Sequence, residues 1–505
     1  SGPSSLTFDS SNWNIAQTIQ VSAQADTDSA NGTGTLTLSA TGIPSATVEL
    51  SELDSGTSLE SNFLVSGIVR NDLGMGLNGV TLTFSNGGPT LVSDANGSFR
   101  SLLNPGWSGT ITPSKAGYVF TPSVLTIGSL GANSTGHVFE ASSSSILYVD
   151  KDATGAEDGT SWANAYVDLA QALVSQQSFN EVWVAEGTYL PGVIRSTSFI
   201  LPPNVQVYGG FAGNETLRTQ RNADANPTIL SGDIGTQGNS SDNSYHVVVP
   251  SQGSALDGFT IKDGNASKNF SNDDRGIGAG LYADDVTFVA SNCIFMENRS
   301  RQRGGAVYLK DCNATFVDCN FTNNKGTGWG NGNGYAGAIY ASGGRLILQS
   351  TSFTGNSADL EGGAIFAENT DLNSTNCVYS GNQNTVNNGG GAIRVDGGSL
   401  QDLNGTFASN TSASSGGAIR VSNGSMTLIN SSFTSNQAAY SGGAVRSVDS
   451  NFTTHDCTFS LNSSTGSGGG AIEVENGSFH DANGSYSNNS AGLGGGAMRW
   501  TNTIG

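Results

Sequence analysis

The sequence predicts an all-β protein in which a parallel β-helix, a solenoid of stacked turns, follows two small immunoglobulin-like β-sandwich modules. Between Gly276 and Trp500 a Gly-Ala-aliphatic phrase recurs nine times. An aromatic residue follows fifteen positions after each of the first eight copies, and an Asn follows three positions later. A repeat of about 26 residues without helical periodicity, rich in Gly, Asn, Ser and Thr, is typical of solenoids built from short strands.

The fixed spacing also predicts which residues fill the core. Equivalent residues of successive turns should lie above one another, about 4.8 Å apart. The aromatic residues are predicted to lie inside, and each is listed here with the Asn three positions later: Phe295/Asn298, Phe321/Asn324, Phe353/Asn356, Tyr379/Asn382, Phe407/Asn410, Phe433/Asn436, Phe459/Asn462 and Tyr486/Asn489. The apolar residues eight positions after the Ala position are Phe288, Leu346, Leu372, Leu400, Met426, Phe452 and Phe479. Length varies only between the Asn and the next Ala, so variable loops should lie along one edge of the solenoid, commonly the functional edge.

The paired G-G-A-[ILV] and F-x-x-N motifs resemble the repeat of the chlamydial polymorphic membrane proteins and related bacterial surface β-helices of the pectate-lyase-like superfamily. The resemblance covers about residues 276–500. It implies a right-handed parallel β-helix and a displayed adhesin or autotransporter-type passenger, and therefore an extracellular, cell-surface location.

Composition excludes some partners. The formal net charge is −21 and charged residues make up only 12% of the chain. Such an acidic chain disfavours nucleic acid, because binding phosphates needs clustered Lys and Arg. No run of 18 apolar residues is present, so no membrane-spanning segment is predicted. The chain ends just after a Gly-Gly-Ala strand without a capping segment, which favours a piece of a larger protein and leaves end-to-end self-association as an alternative.

Three domains are expected. Residues 1–56 form a partial immunoglobulin-like module, in which Leu6–Asp28 resembles Calx-β-like repeats. That family implies calcium, which carboxylates could hold in this module, although their spacing is looser than an EF-hand loop and favours solvated turns. The module's candidate carboxylates are Asp26, Asp28, Glu49, Glu52 and Asp54. Residues 57–142 resemble carboxypeptidase-regulatory-like sandwiches, and residues 143–505 form the β-helix, capped by a short helix over Asp168–Ser175.

The cysteines and histidines predict no reaction centre. Four cysteines, Cys293, Cys319, Cys377 and Cys457, share one position two residues before the aromatic, where other turns have Thr, Ser or Gly. Buried thiols fit that position better than disulfides or metal ligands. The four histidines are scattered. We therefore expect no catalytic residue, no metal site and no cofactor in the β-helix.

The most informative candidate surface is a column two residues after each Ala position, predicted to face outward. Its members are Tyr282, Tyr308, Tyr340, Phe366, Arg394, Arg420, Arg446, Glu473 and Arg499. The longest insertion, carrying Trp329 and Tyr335, opens onto its aromatic half. A flat aromatic row could stack against sugar rings, with the arginines beside it. The alternative is a ladder that only stabilises stacked strands.

Three functions follow as expectations. The first is a non-catalytic surface protein, structural or adhesin-like, that contacts glycans or neighbouring cells. The second is a polysaccharide lyase or glycoside hydrolase, for which Glu368, Asp396, Arg394 and Arg420 are the best grouped residues. The third is a subunit of an extracellular fibre or sheath.

Overall fold

The computed structural model describes residues 33–40, 43–51, 62–71, 74–115, 118–143, 146–175, 179–268, 274–328, 334–386 and 389–501. The chain divides into two compact units, Ser1–Ser143 and Ser144–Gly505. Both are built almost entirely of strands, which confirms the predicted all-β class.

The first unit contains a hairpin and two four-stranded sheets. The hairpin pairs Thr33–Ala40 with Ile43–Ser51 in antiparallel fashion. One sheet has the order Ser98–Leu103, Phe63–Asn71, Ser134–Ser143 and Tyr118–Thr121, and the other has Thr90–Val92, Thr81–Phe84, Gly109–Ser114 and Leu125–Ile127. Val65 and Val69 of one sheet share a buried cluster with Leu82, Phe84 and Ile111 of the other, so the two sheets enclose one core.

Parts of the predicted N-terminal organisation stay predictions. The segment Leu6–Asp28 and the carboxylates Asp26, Asp28, Glu52 and Asp54 lie outside the described residues. The Calx-β-like and carboxypeptidase-regulatory-like resemblances, the division at residues 56 and 142, and the calcium expectation also remain predictions.

A short helix stands at the beginning of the second unit. The unit opens with Ile146–Val149, the 3-10 turn Trp162–Asn164 and the α-helix Leu169–Leu173. Asp168 caps the helix, because its carboxylate accepts hydrogen bonds from the backbone N–H groups of Ala170 and Gln171 at 2.7 and 3.3 Å. Its apolar side chains are buried in the solenoid core. The predicted helix is confirmed, although shorter than Asp168–Ser175.

The solenoid that follows is a right-handed-type parallel β-helix of about 11 turns. Its first sheet has 21 strands, two from most turns, beginning with the strand of residues 146–149. The others are Glu181–Ala185, Phe199–Ile200, Gln206–Phe211, Val248–Val249, Ala255–Asp257, Leu281–Asp284, Thr287–Ser291, Val307–Lys310, Asn313–Val317, Ile339–Ser342, Arg345–Gln349, Ile365–Thr375, Ile393–Leu403, Ile419–Ser422, Ser425–Ile429, Val445–Val448, Asn451–His455, Ile472–Glu475, Ser478–Ala482 and Met498–Thr501.

Two narrower sheets, of 11 and 9 strands, complete most turns. The second sheet contains Gly187–Tyr189, Thr228–Ser231, Phe259–Lys262, Ile294–Met296, Asn320–Thr322, Ser352–Thr354, Val378–Ser380, Thr406–Ala408, Ser432–Thr434, Thr458–Ser460 and Ser485–Ser487. The third contains Asn265–Ala266, Arg299–Ser300, Lys325–Gly326, Ser357–Ala358, Gln383–Asn384, Thr411–Ser412, Gln437–Ala438, Ser463–Ser464 and Ser490–Ala491. The 3-10 turns Arg218–Gln220 and Asp274–Gly276 lie in connecting loops.

The predicted core columns stack as the spacing requires. Phe295 pairs with Phe321, and the same register continues through every later turn to Tyr486. Successive rings of this column lie 4.6–5.1 Å apart with interplanar angles of 2–8°. The column eight residues after the Ala position is also buried from Phe288 to Phe452.

The four cysteines of the shared position are buried and free, as predicted, and Cys312, for which no prediction was made, is buried and free as well. Burial raises the pKa of the Cys377 and Cys457 thiols above their ordinary value. Because the thiolate is the reactive form, these side chains act as small core residues.

Candidate functional site at the solenoid edge

The column two residues after each Ala position, which we call the edge column, stacks in register over its whole length. Tyr282 pairs with Tyr308, Tyr308 with Tyr340, and Tyr340 with Phe366. The register continues through Arg394, Arg420, Arg446, Glu473 and Arg499. The structure thus brings together every described member that the sequence singled out.

The aromatic half of the edge column is a second small core and not an open platform. The rings of Tyr282, Tyr308 and Tyr340 lie face to face, with centroids 5.7 and 5.4 Å apart and interplanar angles of 5° and 1°. Tyr308, Tyr340 and Phe366 are only 6%, 2% and 5% exposed. The expectation of a flat, exposed aromatic row is therefore wrong for these three residues.

The cover comes from the inserted loop that ends at Tyr335. Ala336 is buried with the aromatic column, and the Tyr335 ring lies 5.8 Å from Phe366 and 6.4 Å from Tyr340. Tyr335 and Tyr282 remain half-buried and are the tyrosines of this cluster with accessible surface. Trp329, the other aromatic of the insertion, lies outside the described residues.

Charged groups close the aromatic cluster on one side. The Arg303 guanidinium lies 5.2 Å from the Tyr340 ring centroid and 5.9 Å from that of Tyr335, within the range of a cation–π contact. The Tyr340 hydroxyl donates a hydrogen bond to the Glu368 carboxylate. Burial, with this bond as a smaller cause, raises the pKa of Tyr340 above its ordinary value.

The arginine half is held by carboxylates and hydroxyls. Arg394 donates from Nε to Glu361 at 2.9 Å and from Nη1 to Ser422 at 2.7 Å, and its Nη2 lies 3.5 Å from Asp396. Burial raises the pKa of Glu361 above its ordinary value, although the neighbouring Arg394 acts in the opposite direction. Glu361 therefore occupies the place beside Arg394 that the sequence analysis gave to Glu368, which bonds Tyr340 instead.

Farther along the column, Arg446 bonds the Ser415 and Ser441 hydroxyls at 3.0 Å each and the Glu475 carboxylate at 2.6 Å. Between Arg394 and Arg446, the pKa of Arg420 is lowered to about 10, mainly by burial and then by the charges of these two arginines. The arginines are thus partly buried in an ionic layer.

A flanking column, three residues before each Ala position, was missed by the sequence analysis. Isolated bridges join Ile277 to Arg303, Arg303 to Tyr335, and Ser415 to Ser441. Its residues are Ile277, Arg303, Tyr335, Glu361, Gly389, Ser415, Ser441, Gly468 and Gly494. The constant offset from the following Ala could have revealed it. Counted from the preceding Asn, however, the position varies, because the loop between the Asn and the next Ala varies in length.

No group of three or more His, Cys, Asp or Glu side chains that could hold a metal ion occurs within the described parts of the chain. In those parts, likewise, no helix has the length and apolar character that crossing a membrane requires.

Comparison with known proteins links one turn of the solenoid to a family. The family model described as the Chlamydia polymorphic membrane protein (Chlamydia_PMP) repeat matches residues 350–368. This segment includes Phe353, Asn356 and the Gly-Gly-Ala-Ile phrase that ends at Ile365. A search of curated proteins found no match. The repeat suggests a surface-associated bacterial protein, and together with the β-helix it fits a surface-exposed, adhesin-like one.

Proposed function

We propose, from the Chlamydia polymorphic membrane protein type of repeat that this chain contains, that the protein is an extracellular, adhesin-like protein whose solenoid edge contacts glycans without cleaving them. The core columns repeat almost unchanged from turn to turn, while the edge column changes from aromatic residues to mainly arginines and the flanking column varies in residue type from turn to turn. Such a division suits a rigid scaffold that presents a variable surface.

The observation that carries the proposal is the preorganised Tyr335 ring. Phe366 stacks against it, Tyr340 meets it edge to face, and the Arg303 guanidinium lies 5.9 Å from its centroid. A half-exposed ring held in this way can pack against the apolar face of a sugar, and a guanidinium can donate several hydrogen bonds to sugar oxygens. Little side-chain entropy would be lost on binding, because the ring is already fixed.

The remaining residues of the predicted site divide into two roles. Tyr308, Tyr340, Phe366 and Arg394 are buried and would support the surface. Tyr282, Tyr335, Arg420 and Arg446 are half-buried and would contact a ligand directly.

The test is binding to an array of neutral glycans by the wild type, Tyr335→Ala and Arg303→Gln. We expect both variants to lose at least about tenfold in affinity, because removing a supported aromatic or a directly bonded cation costs on the order of 1–2 kcal/mol. Tyr440→Ala is the matched control, because Tyr440 is a tyrosine of the same edge that is 61% exposed and belongs to another turn. Unchanged binding in both test variants, or an equal loss in the control, would refute the proposal.

A glycan-cleaving activity is the second candidate, and one observation favours it. Glu361, whose pKa is raised by burial, shares Arg394 with Asp396, and carboxylates in unequal environments can serve as acid and base. If this candidate holds, the wild type releases new chain ends from a polysaccharide panel, while Glu361→Gln and Asp396→Asn do not. Glu475→Gln, which changes a carboxylate paired with Arg446 elsewhere in the column, is the control. Assembly into fibres stays a prediction.

A further inference from the structure

Although the chain as a whole is acidic, several of its Lys and Arg residues cluster on one part of the surface, in the first turns of the solenoid. The chain has 20 Lys and Arg against 41 Asp and Glu. Six of the cations form what we call the cationic face: five lie in the third sheet or the loops that follow its strands, and Arg195 lies in an earlier loop, from which its side chain bonds Asn265 and Ser267. They are Arg195, Lys268, Arg275, Arg299, Arg301 and Lys325.

Three of these cations surround one ring. The guanidinium of Arg195 lies 4.2 Å from the centroid of the buried Tyr245 ring, that of Arg275 lies 5.8 Å away, and the Lys268 ammonium lies 6.0 Å away. Arg195 also bonds the carbonyls of Asn243 and Asn265 at 2.7 and 2.9 Å and the Ser267 hydroxyl at 2.9 Å. These acceptors fix the guanidinium but carry no formal charge to balance it.

The other cations extend this cluster along the solenoid axis. Asn265, whose carbonyl holds Arg195, is the strand partner of Arg299, and Arg299 is the partner of Lys325 in the next turn. The backbone N–H of Arg301 donates to the carbonyl of Ala266 in the turn before. Arg275, Arg299 and Lys325 are exposed. Positive charges therefore occupy the same position in two successive turns, about the 4.8 Å spacing of neighbouring strands apart, beside the cluster around Tyr245.

The same position carries no charge in the turns that follow. Its occupants are Ser357, Gln383, Thr411, Gln437, Ser463 and Ser490. The cationic face thus has a sharp end after Lys325, and strand pairing does not demand Arg or Lys at this position.

We propose that the cationic face binds an anionic polysaccharide, whose carboxylate or sulfate groups lie along the solenoid axis against Arg299, Lys325 and the cluster around Tyr245. A line of charges at successive turns fits a strand that bears charge at regular intervals. A flat anionic membrane would also meet the surplus negative charge of the remaining chain, whereas a single strand can follow the line alone. This surface goes beyond the edge site around Tyr335, and the two are tested with different ligands.

The test measures binding of the full chain to dextran sulfate and to neutral dextran at low and high salt. We expect binding to dextran sulfate alone, and we expect it to weaken as salt screens the charges. Arg299→Gln with Lys325→Gln should weaken it by roughly tenfold, because each exposed charge contact contributes only a few-fold in affinity. Glutamine already occupies this position at 383 and 437, so these variants should fold.

The second part of the experiment tests a variant that is expected to bind more tightly. Gln383→Lys with Gln437→Lys would add cations to the same column and should strengthen binding several-fold. Lys310→Gln is the matched control, because Lys310 lies in the first sheet, paired with Asp284 at 3.1 Å. Equal binding by the wild type and the Arg299/Lys325 variant would overturn the proposal. So would binding of phosphatidylglycerol vesicles without binding of dextran sulfate. Unaltered binding by the Gln383/Gln437 variant would likewise count against it.

Discussion

Asp402 is a carboxylate inside the solenoid core, at an inward position where most turns have apolar residues. It accepts hydrogen bonds from the hydroxyls of Ser374 and Ser431, one turn to either side, at 2.5 and 2.7 Å. Burial nevertheless raises its pKa to about 6. The neutral acid is therefore the form that the folded core favours.

This pKa makes part of the stability depend on pH. The folded-state value lies above that of an unfolded Asp, so the contribution to the free energy of unfolding is fully present below about pH 4 and is lost as the pH rises through about 6. The loss should reach on the order of 3 kcal/mol. We expect the unfolding temperature of the wild type to decrease, relative to that of Asp402→Asn, as the pH is raised from 4 to 7. A difference that stays constant over this range would contradict the assignment.

A glycine makes room for this carboxylate. A Cβ at Gly405 would come within 2.0 Å of Asp402 Oδ2, and a Cβ at Gly484 would come within 2.4 Å of Asp481 Oδ2. The turns with an inward Asp are thus those with Gly three residues later, where other turns have Cys, Ser or Thr.

Gly405→Ala should therefore destabilise the protein by about 1–3 kcal/mol through overpacking. In an Asp402→Leu background, the cost of Gly405→Ala should fall below about 1 kcal/mol. The next turn already combines a Leu at the inward position, Leu428, with a small side chain three residues later, Ser431. The check is a double-mutant cycle by chemical denaturation. Equal costs in both backgrounds would show that the two positions are independent.

The abundance of Asn and Asp also has a residue-scale cause. Twelve residues after the Ala position, every turn from the first to the eighth places a non-glycine residue at positive φ. These are Asn292, Asp318, Ser350, Asn376, Asn404, Asn430, Asp456 and Asn483. Asn and Asp tolerate this left-handed conformation better than other side chains do. The high Asn and Asp content, which resembles that of a disordered chain, is therefore explained in part by the left-handed corner position of each turn.

At the scale of elements, the asparagines after the aromatic column form one continuous buried ladder. In each turn the side-chain amide donates to the side-chain oxygen of the next Asn. For Asn382 the acceptors are Asn410 Oδ1 at 3.0 Å and the Phe353 carbonyl at 2.9 Å, while Asn356 donates to Asn382 Oδ1 from both its backbone and its side chain. The ladder thus satisfies backbone groups that the turn leaves without strand partners.

Asn382→Ala should cost at least about 2 kcal/mol, because it leaves several buried donors and acceptors without partners. Asn376→Gly is the control, since Asn376 is an exposed Asn at φ 54° whose conformation glycine tolerates. We expect the control to change the free energy of unfolding by less than about 1 kcal/mol, as measured in urea. Comparable losses in the two variants would contradict a structural role for the ladder.

The sequence predicted these columns well because a fixed spacing is a local signal. Periodicity alone predicts that the aromatic column and the residues eight positions after Ala lie in the core, and it identifies the Asn column without predicting its burial. The edge column was placed correctly outside the main core, but its burial was not foreseen. Its cover comes from Tyr335 and Ala336 in a loop of irregular length, which leaves no periodic trace. Asp402 was likewise missed, because only Asp481 shares its offset.

At the scale of the molecule, each solenoid turn is hydrogen-bonded mainly to its two neighbours. The strands of successive turns keep the same pairing register from Phe295 to Tyr486. Nearly parallel rings in successive turns show that the second sheet twists little along this column. Sheets of this kind are stabilised by side-chain ladders, of which the aromatic and Asn columns are two. The constant interior leaves the edge and the cationic face free to differ between turns.

The most direct test of this account is the distance between spin labels on Thr354→Cys and Ser487→Cys, measured by pulsed electron paramagnetic resonance. The native thiols are buried, so the labels should attach only at the two new cysteines. These positions are equivalent and five turns apart, so a stack of turns predicts a narrow distribution near 24 Å, set by about 4.8 Å per turn. A broad distribution, or a mean distance far from this value, would contradict the stacked solenoid on which every proposal here depends.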